Sequence, residues 1–349
     1  MAAETLFRER AQLYPAPRSG GALLVAGLGS VGKRHFDNLR SLGAERRLAL
    51  LRTGRGTLVE ADPPDVRIHR DLDGALEDRP FAVIVANPTA LHVPLALAAA
   101  KAGAHVFIEK PLSDSLQGVE DLEREISVRG LIGLVGFQFR FHPALRQIKE
   151  WLSDQAIGRI VSVHARWGEC LRSWHPWEDY RGSYSARRNL GGGVVLTLCH
   201  PFDYLRWLVG EIVTVSAETA QLGGLGIEVE DTAHIILRFE GGALASVDLD
   251  YVEHPPVHAL RILGQRGCIL WDNTSGIARQ QDRDGSIVRS FAPPEGFERN
   301  TLFLEEMRHF LECLEGTAAP LCTVEDGIRA LKVALAAGEA AASGRRVHV

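Results

Sequence analysis

At 349 residues the chain exceeds one ordinary core, so two domains are expected. Hydrophobic residues make up 46% and charged residues 24%, and the formal net charge of −5 is spread along the chain. That balance excludes the concentrated basic face that nucleic acid or a membrane surface would select, so neither is expected as a partner.

No stretch reaches the roughly 20 uninterrupted apolar residues of a membrane helix. The first ten residues carry Glu4, Arg8, Glu9 and Arg10 and no apolar core, unlike a secretory signal. The five cysteines are an odd number without a CxxC pair, which points to a reduced, cytoplasmic protein.

In chain order, residues 1–20 read as an N-terminal extension, a short polar helix ending in a Pro/Gly joint. Short apolar runs then alternate with longer amphipathic ones, the pattern of βαβ units. Strands are expected at 22–26, 48–51, 81–86, 105–108 and 131–137. Helices are expected at 31–42, 91–102 and 115–129. Beyond 138 the runs 160–166, 212–218, 232–240, 243–251, 258–263 and 268–271 follow one another. Several alternate as half-exposed antiparallel strands do, with Ser246, Asp248 and Asp250 set against Val247 and Leu249. Helices at 301–314 and 324–337 end the chain. The fold class expected is an α/β Rossmann domain at 21–138 followed by an α+β domain at 139–349. That second domain holds a sheet of antiparallel strands, and the last helix is free to return to the first domain.

Gly27-Leu28-Gly29-Ser30-Val31-Gly32 is a GxGxxG run placed after the first strand and opening the first helix. The first glycine permits the turn, the second lets a pyrophosphate approach, and the third lets helix and strand pack closely. Gly27, Gly29, Ser30, Val31 and Gly32 are therefore expected to hold a dinucleotide. After the second strand, where an acid usually holds the adenosine ribose, stand Arg52-Thr53-Gly54-Arg55. Arg52, Thr53 and Arg55 suit a 2′-phosphate, so NADP is favoured over NAD, although solvated surface arginines would look the same.

Glu109-Lys110-Pro111 follows the strand at 105–108, at the carboxyl edge where open α/β sheets bind ligands. Spacing alone leaves Lys110 balanced between a group that acidifies a substrate hydroxyl and a surface lysine beside a turn. The order of motifs breaks the tie. Gly27–Gly32 with Lys33-Arg34-His35, then Asn87-Pro88-Thr89 with His92, then Glu109-Lys110-Pro111 together resemble the glucose–fructose oxidoreductase / inositol dehydrogenase / MocA family. So does the tail, with Thr323-Val324-Glu325-Asp326-Gly327 and Gly344-Arg345. The resemblance implies a catalytic Lys110, Glu109 by the nicotinamide ribose, and Asn87, Pro88, Thr89 and His92 along the cofactor. It also implies that Lys110 borders the cofactor, that the second domain carries a large open, mainly antiparallel sheet, and that a homodimer or homotetramer is built on that C-terminal sheet.

Within the resemblance, the run from Leu190 through Gly191-Gly192-Gly193 to His200 and Asp203 corresponds to the glycine-rich entry of a substrate-side helix. His200 and Asp203, three apart, share a helical face. An imidazole suits the role of accepting the hydroxyl proton. The family's first aspartate on this helix is replaced here by Thr197, which hydrogen-bonds a hydroxyl but takes up no proton at neutral pH. His175, His200 and Asp203 form no tight ligand pair, so no metal is expected.

The loop Trp174-His175-Pro176-Trp177-Glu178-Asp179-Tyr180-Arg181, with Tyr184, Arg187 and Arg188, offers rings for sugar faces and guanidinium groups for an acidic substituent. Trp177, Tyr180, Arg181, Tyr184, Arg187 and Thr197 join Lys110 and His200 as candidate substrate contacts, against the alternative of a surface loop packed on the sheet. Phe139-Arg140-Phe141-His142-Pro143 resembles a segment of family members associated with surface-polysaccharide synthesis. The expected activity is NAD(P)-dependent hydride transfer to or from a carbinol carbon of a sugar, sugar acid, nucleotide sugar or cyclitol. A dinucleotide-binding regulator without turnover and a reductase of an imine or enone-like substrate stay open as alternatives.

Overall fold

The computed structural model describes residues 21–44, 47–54, 62–175 and 178–349. The expected N-terminal extension lies outside these residues, as do the candidate contacts Arg55 and Trp177. The elements begin with β1 (Leu23–Ala26), α1 (Ser30–Ser41), β2 (Leu48–Leu51), β3 (Arg67–His69), α2 (Leu72–Glu77), β4 (Ala82–Val85) and α3 (His92–Lys101). They continue with β5 (His105–Glu109), α4 (Val119–Arg129), β6 (Gly133–Gly136), α5 (Pro143–Ser153), β7 (Ile160–Gly168), α6 (Val194–Thr197) and α7 (His200–Val209). Then come β8 (Ile212–Ala220), β9 (Thr232–Phe239), β10 (Leu244–Asp250), β11 (Val257–Gly264), β12 (Gly267–Asp272), β13 (Ile277–Gln281) and β14 (Ile287–Phe291). Helices α8 (Arg299–Leu314) and α9 (Val324–Ser343) precede a short β15 (Val347–His348).

The chain divides into two compact units, residues 1–138 with 298–328, and 139–297 with 329–349. In the first, six parallel strands run in the order β3-β2-β1-β4-β5-β6. Every residue of β1, β2, β4 and β6 is buried, which explains their continuous apolar runs: a parallel sheet is covered on both faces. The strand order reverses between β1 and β4, so the crevice for a ligand opens at the carboxyl ends of those two strands.

Helix α8 belongs to this first unit. Its Met307, Phe310, Cys313 and Leu314 share one core with Leu23, Val25, Phe36 and Phe107. The returning segment is thus 298–328, α8 with the start of α9, because α8 carries the apolar stripe that covers α1. Backbone pairing of Leu134 with Thr323 ties the same segment to β6. Helix α4 begins at Val119 rather than 115, since Gly118 at its N-cap is left-handed with φ 75°.

In the second unit nine strands run β14-β13-β12-β11-β7-β10-β9-β8-β15, antiparallel except for the β7–β10 pair. Burial alternates along β7, β9, β10 and β11, so each strand sends every second side chain to the core face. There Val163, Ala165, Ile235, Leu237, Val247, Leu260 and Ile262 lie fully or almost fully buried. Helix α5 packs on β13 and on α7, with Leu145, Ile148, Phe202 and Leu205 buried. Sequence periodicity did not signal α5, β13 or β14: Pro143 is simply the first residue of α5, a position a proline tolerates. No helix among the described residues is long and apolar enough to cross a membrane.

Candidate active site

The glycine turn is the best-defined part of the first unit. Gly27 ends β1 with φ +96°, and a Cβ there would lie 2.8 Å from the Ala86 carbonyl oxygen. At Gly32 a Cβ would meet the Gly27 carbonyl oxygen at 2.1 Å. Packing of the turn against β4 and α1 therefore demands both glycines. Gly29 differs: nothing lies within 4 Å of where its Cβ would be, and the residue is exposed. Its bareness leaves the approach to the start of α1 open. That helix has Gly29 at its N-cap, no side-chain cap and no acid in its first turn. With no side-chain cap among the described residues, its first N–H groups and positive dipole end suit an anion, which is what a dinucleotide pyrophosphate requires.

At the end of β2, Arg52 and Thr53 stand where the sequence places them, but Arg52 is engaged. Its Nη1 donates to Asp62 Oδ1 at 2.6 Å, and Asp62 also takes Arg70. An acid therefore does reach this position, from ten residues downstream.

After β4, the Asn87 Oδ1 is buried without a hydrogen-bond partner among the described residues, while its Nδ2 donates to the Leu91 carbonyl at 3.3 Å. An orphaned acceptor beside a glycine cradle is a fit for a bound cofactor, whose donor groups would satisfy it. Thr89 and His92 are buried at the start of the following helix, beyond Pro88. His92 links two turns, with Nε2 2.8 Å from the Asn87 carbonyl oxygen and Nδ1 2.8 Å from that of Pro111. Burial pulls its pKa below the ordinary histidine value, against the two carbonyls that favour a charged ring. The pair of contacts fastens the Asn87–Thr89 turn to the Lys110–Pro111 turn.

Glu109, the last residue of β5, is buried, and Lys110 after it is half-exposed. Glu109 Oε1 meets His35 Nε2 at 2.5 Å, and its Oε2 accepts from the Lys110 backbone N–H at 3.1 Å. Burial pushes the Glu109 carboxyl up, but the His35 hydrogen bond and charge outweigh it and leave its pKa below the usual value.

In the second unit the glycine-rich entry is shaped by its neighbours. A Cβ on Gly192 would strike the Tyr184 carbonyl oxygen at 2.4 Å, and one on Gly193 (φ +112°) would strike Glu230 Oε1 at 2.3 Å. Glu230 also accepts the Val195 N–H at 3.2 Å, and burial raises its carboxyl pKa. Thr197, at the end of α6, is buried, as is Tyr251. His200 opens α7 with 1% exposure, its ring centroid 4.9 Å from that of Phe139 and 5.2 Å from that of Trp167. Asp203, one turn on, accepts from Arg140 Nε at 3.0 Å through Oδ2 and from Nη2 at 2.6 Å through Oδ1.

The described part of the candidate substrate loop, from Tyr180 to Arg188, meets residues 225–228. Tyr180 Oη donates to the Leu225 carbonyl at 2.8 Å, and Arg181 lies over the Tyr180 ring at 4.9 Å. Tyr184 is half-buried and Arg187 exposed. Thr197, His200 and Asp203 thus lie on the consecutive helices α6 and α7, and Arg181 meets Tyr180. No local sequence pattern signals the long-range pairing of His35 with Glu109, of Arg140 with Asp203, or of Glu230 with the glycine-rich entry at Gly193 and Val195.

Comparison with known proteins matches residues 22–137 to the oxidoreductase family with an NAD-binding Rossmann fold. Residues 145–270 match the GFO/IDH/MocA C-terminal domain. A myo-inositol 2-dehydrogenase of Thermotoga maritima is 28% identical over 93% of this chain and 97% of its own. A scyllo-inositol 2-dehydrogenase (NAD(+)) of Bacillus subtilis is 27% identical over 93% and 95%. Among solved structures, a levoglucosan dehydrogenase in complex with NADH and levoglucosan shares the fold with TM-score 0.82, at 21% identity over 94% of this chain and 99% of that one. The WlbA dehydrogenase of Bordetella pertussis, in complex with NADH and UDP-GlcNAcA, does so with TM-score 0.76, at 23% identity over 94% and 98%. A parallel dinucleotide-binding sheet, a nine-strand mixed sheet and both family matches agree: the chain belongs to the Gfo/Idh/MocA family of oxidoreductases.

Proposed function

We propose that the protein is an NAD-dependent dehydrogenase that oxidises a carbinol carbon of a sugar or cyclitol to the ketone. The observation that carries this reading is Lys110, a half-exposed ammonium on the carboxyl edge of the dinucleotide-binding sheet, next to a carboxylate that His35 holds in place. The inositol dehydrogenases matched over more than nine-tenths of the chain support the substrate class. Gly27, Gly29, Ser30, Val31 and Gly32 hold the pyrophosphate, with Asn87, Pro88, Thr89, His92 and Glu109 along the rest of the dinucleotide. The nicotinamide, when bound, accepts the hydride. Lys110 donates a hydrogen bond to the substrate oxygen and lowers the cost of its deprotonation. His200 is the group assigned to accept that proton. Asp203 acts at one remove, through its buried ion pair with Arg140. Tyr180, Arg181, Tyr184, Arg187 and Thr197 contact substrate hydroxyl or acidic groups.

Incubation of the protein with NAD and a panel of inositols, aldoses, sugar acids and nucleotide sugars tests the reading. Formation of NADH with a ketone product is expected for at least one. Tight cofactor binding with no turnover across the panel would instead favour a regulator of the same fold.

For the cofactor we propose NAD over the NADP that Arg52, Thr53 and Arg55 favour in the sequence. Arg52 is already neutralised by Asp62, and that carboxylate opposes a 2′-phosphate. Asp62→Asn should release Arg52 and Arg70 and improve kcat/KM for NADP about tenfold, the value of one charge-assisted hydrogen bond, with little change for NAD. An unchanged NADP/NAD ratio would reject the assignment.

A further inference from the structure

Three buried titratable side chains meet in the first unit: His35 from α1, Glu109 from β5 and Glu306 from α8. One ligating atom from each lies within 4.8 Å of the others, and their exposures are 0%, 4% and 0%. A metal would set nitrogen and oxygen ligands roughly 3.3 Å apart in tetrahedral geometry. His35 Nε2 and Glu109 Oε1 are 2.5 Å apart, so a proton joins them instead. The rings of Phe107 and Phe303 flank His35 at 5.0 and 6.0 Å and keep the cluster dry. Two carboxylates this close in a dry site do not both carry charge without a proton shared among the three groups. The His35 Nδ1 has no hydrogen-bond partner among the described residues, so a second ring proton has no fixed acceptor.

The cluster also sits at the reactive end of the sheet. With the glycine turn after β1 and the strand order β3-β2-β1-β4-β5-β6, a dinucleotide bound in the usual way for such a sheet would put its adenosine half toward β2 and its other half toward β4 and β5. Glu109 ends β5. Reduction of the nicotinamide removes one positive charge there, and in a dry site a change of one charge is strongly felt by its neighbours.

We propose that His35, Glu109 and Glu306 form a proton-holding set coupled to the charge of the dinucleotide, which takes up a proton when NADH replaces NAD. His35 and Glu306 act as positioning residues through Glu109. The inference rests on the cofactor part of the function proposed above, but not on any substrate. The other charged groups that act on Glu109 are Lys110, His92 and, from α1, Arg34.

The test uses the full chain. Fluorescence titration gives the Kd values of NAD and NADH between roughly pH 6 and 8.5, where one coupled proton changes their ratio by at most about tenfold per pH unit. Calorimetry in buffers of different ionisation enthalpy counts the protons taken up. NAD binding should strengthen relative to NADH as pH rises, and the NADH complex should hold more protons than the NAD complex. Glu306→Gln keeps the shape and leaves Lys110, His92 and Arg34 in place, so their share persists while the ratio becomes at least about threefold less pH-dependent. His35→Gln, whose amide still donates to Glu109, should do the same. Equal proton counts in the two wild-type complexes would overturn the proposal even if neither variant folds. A folded Glu306→Gln protein with the wild-type curve would overturn it too. Coupling without turnover on any polyol sinks the proposed dehydrogenase alone, and turnover without coupling sinks only this inference.

Discussion

Replacement of Lys110 by Ala is expected to lower kcat/KM by about a thousandfold while leaving the Kd for NAD within about threefold. A positioned proton-transfer group contributes about 10²–10⁴ in rate, and Lys110 is the one ammonium assigned to the substrate oxygen in the proposed reaction. Cofactor affinity resides elsewhere. Gly27 and Gly32 shape the turn against Ala86 and the start of α1, and in the proposed function the N–H groups of that helix, which no side chain caps among the described residues, hold the pyrophosphate. Lys110 is assigned to neither. Its turn is held from behind by His92, which spans the Asn87 and Pro111 carbonyls, and by Glu109. Loss of the ammonium therefore leaves that frame standing. Steady-state kinetics with the best polyol of the panel, alongside NAD titration by fluorescence, separates the two effects. Turnover above a tenth of wild type would reject Lys110 as the group that acidifies the hydroxyl. A large loss of NAD affinity would place it on the cofactor instead.

The two units were legible in the sequence to different degrees, for a physical reason. Strands β1, β2, β4 and β6 are buried along their whole length, so their composition alone marks them. The glycine turn was readable because two of its glycines answer to contacts within a few residues of the turn or on the next strand. The nine-strand sheet betrayed itself by alternation in β9 and β10, whereas all but the last residue of β14 are exposed and show no such pattern. Side-chain pairing was the illegible part. His35 meets Glu109 across 74 positions and Arg140 meets Asp203 across 63, and nothing in either local pattern announces its partner. Arg52 shows the same limit at shorter range: its guanidinium reads as a phosphate ligand until the fold sets Asp62 beside it.

Asp203→Ala should destabilise the second unit by about 3–5 kcal/mol, because it leaves the Arg140 guanidinium buried without its counter-charge. The two side chains are 1% and 4% exposed, and the carboxylate accepts through both oxygens. In a domain of this size such a loss lowers Tm by roughly 6–20 °C. Replacing the pair together, Asp203→Leu with Arg140→Met, should recover most of the stability, since a buried ion pair exchanged for apolar groups of similar volume is often neutral. Urea unfolding of the wild type, the single variant and the double variant measures this directly. The series also decides what Asp203 does for His200, one turn away on α7. If the double variant is stable and turns over normally, the pair serves the fold alone. If it is stable and inactive, Asp203 and Arg140 set the position or charge of the imidazole. A single Asp203→Ala protein as stable as wild type would show that the guanidinium finds water or another acceptor once its partner is gone.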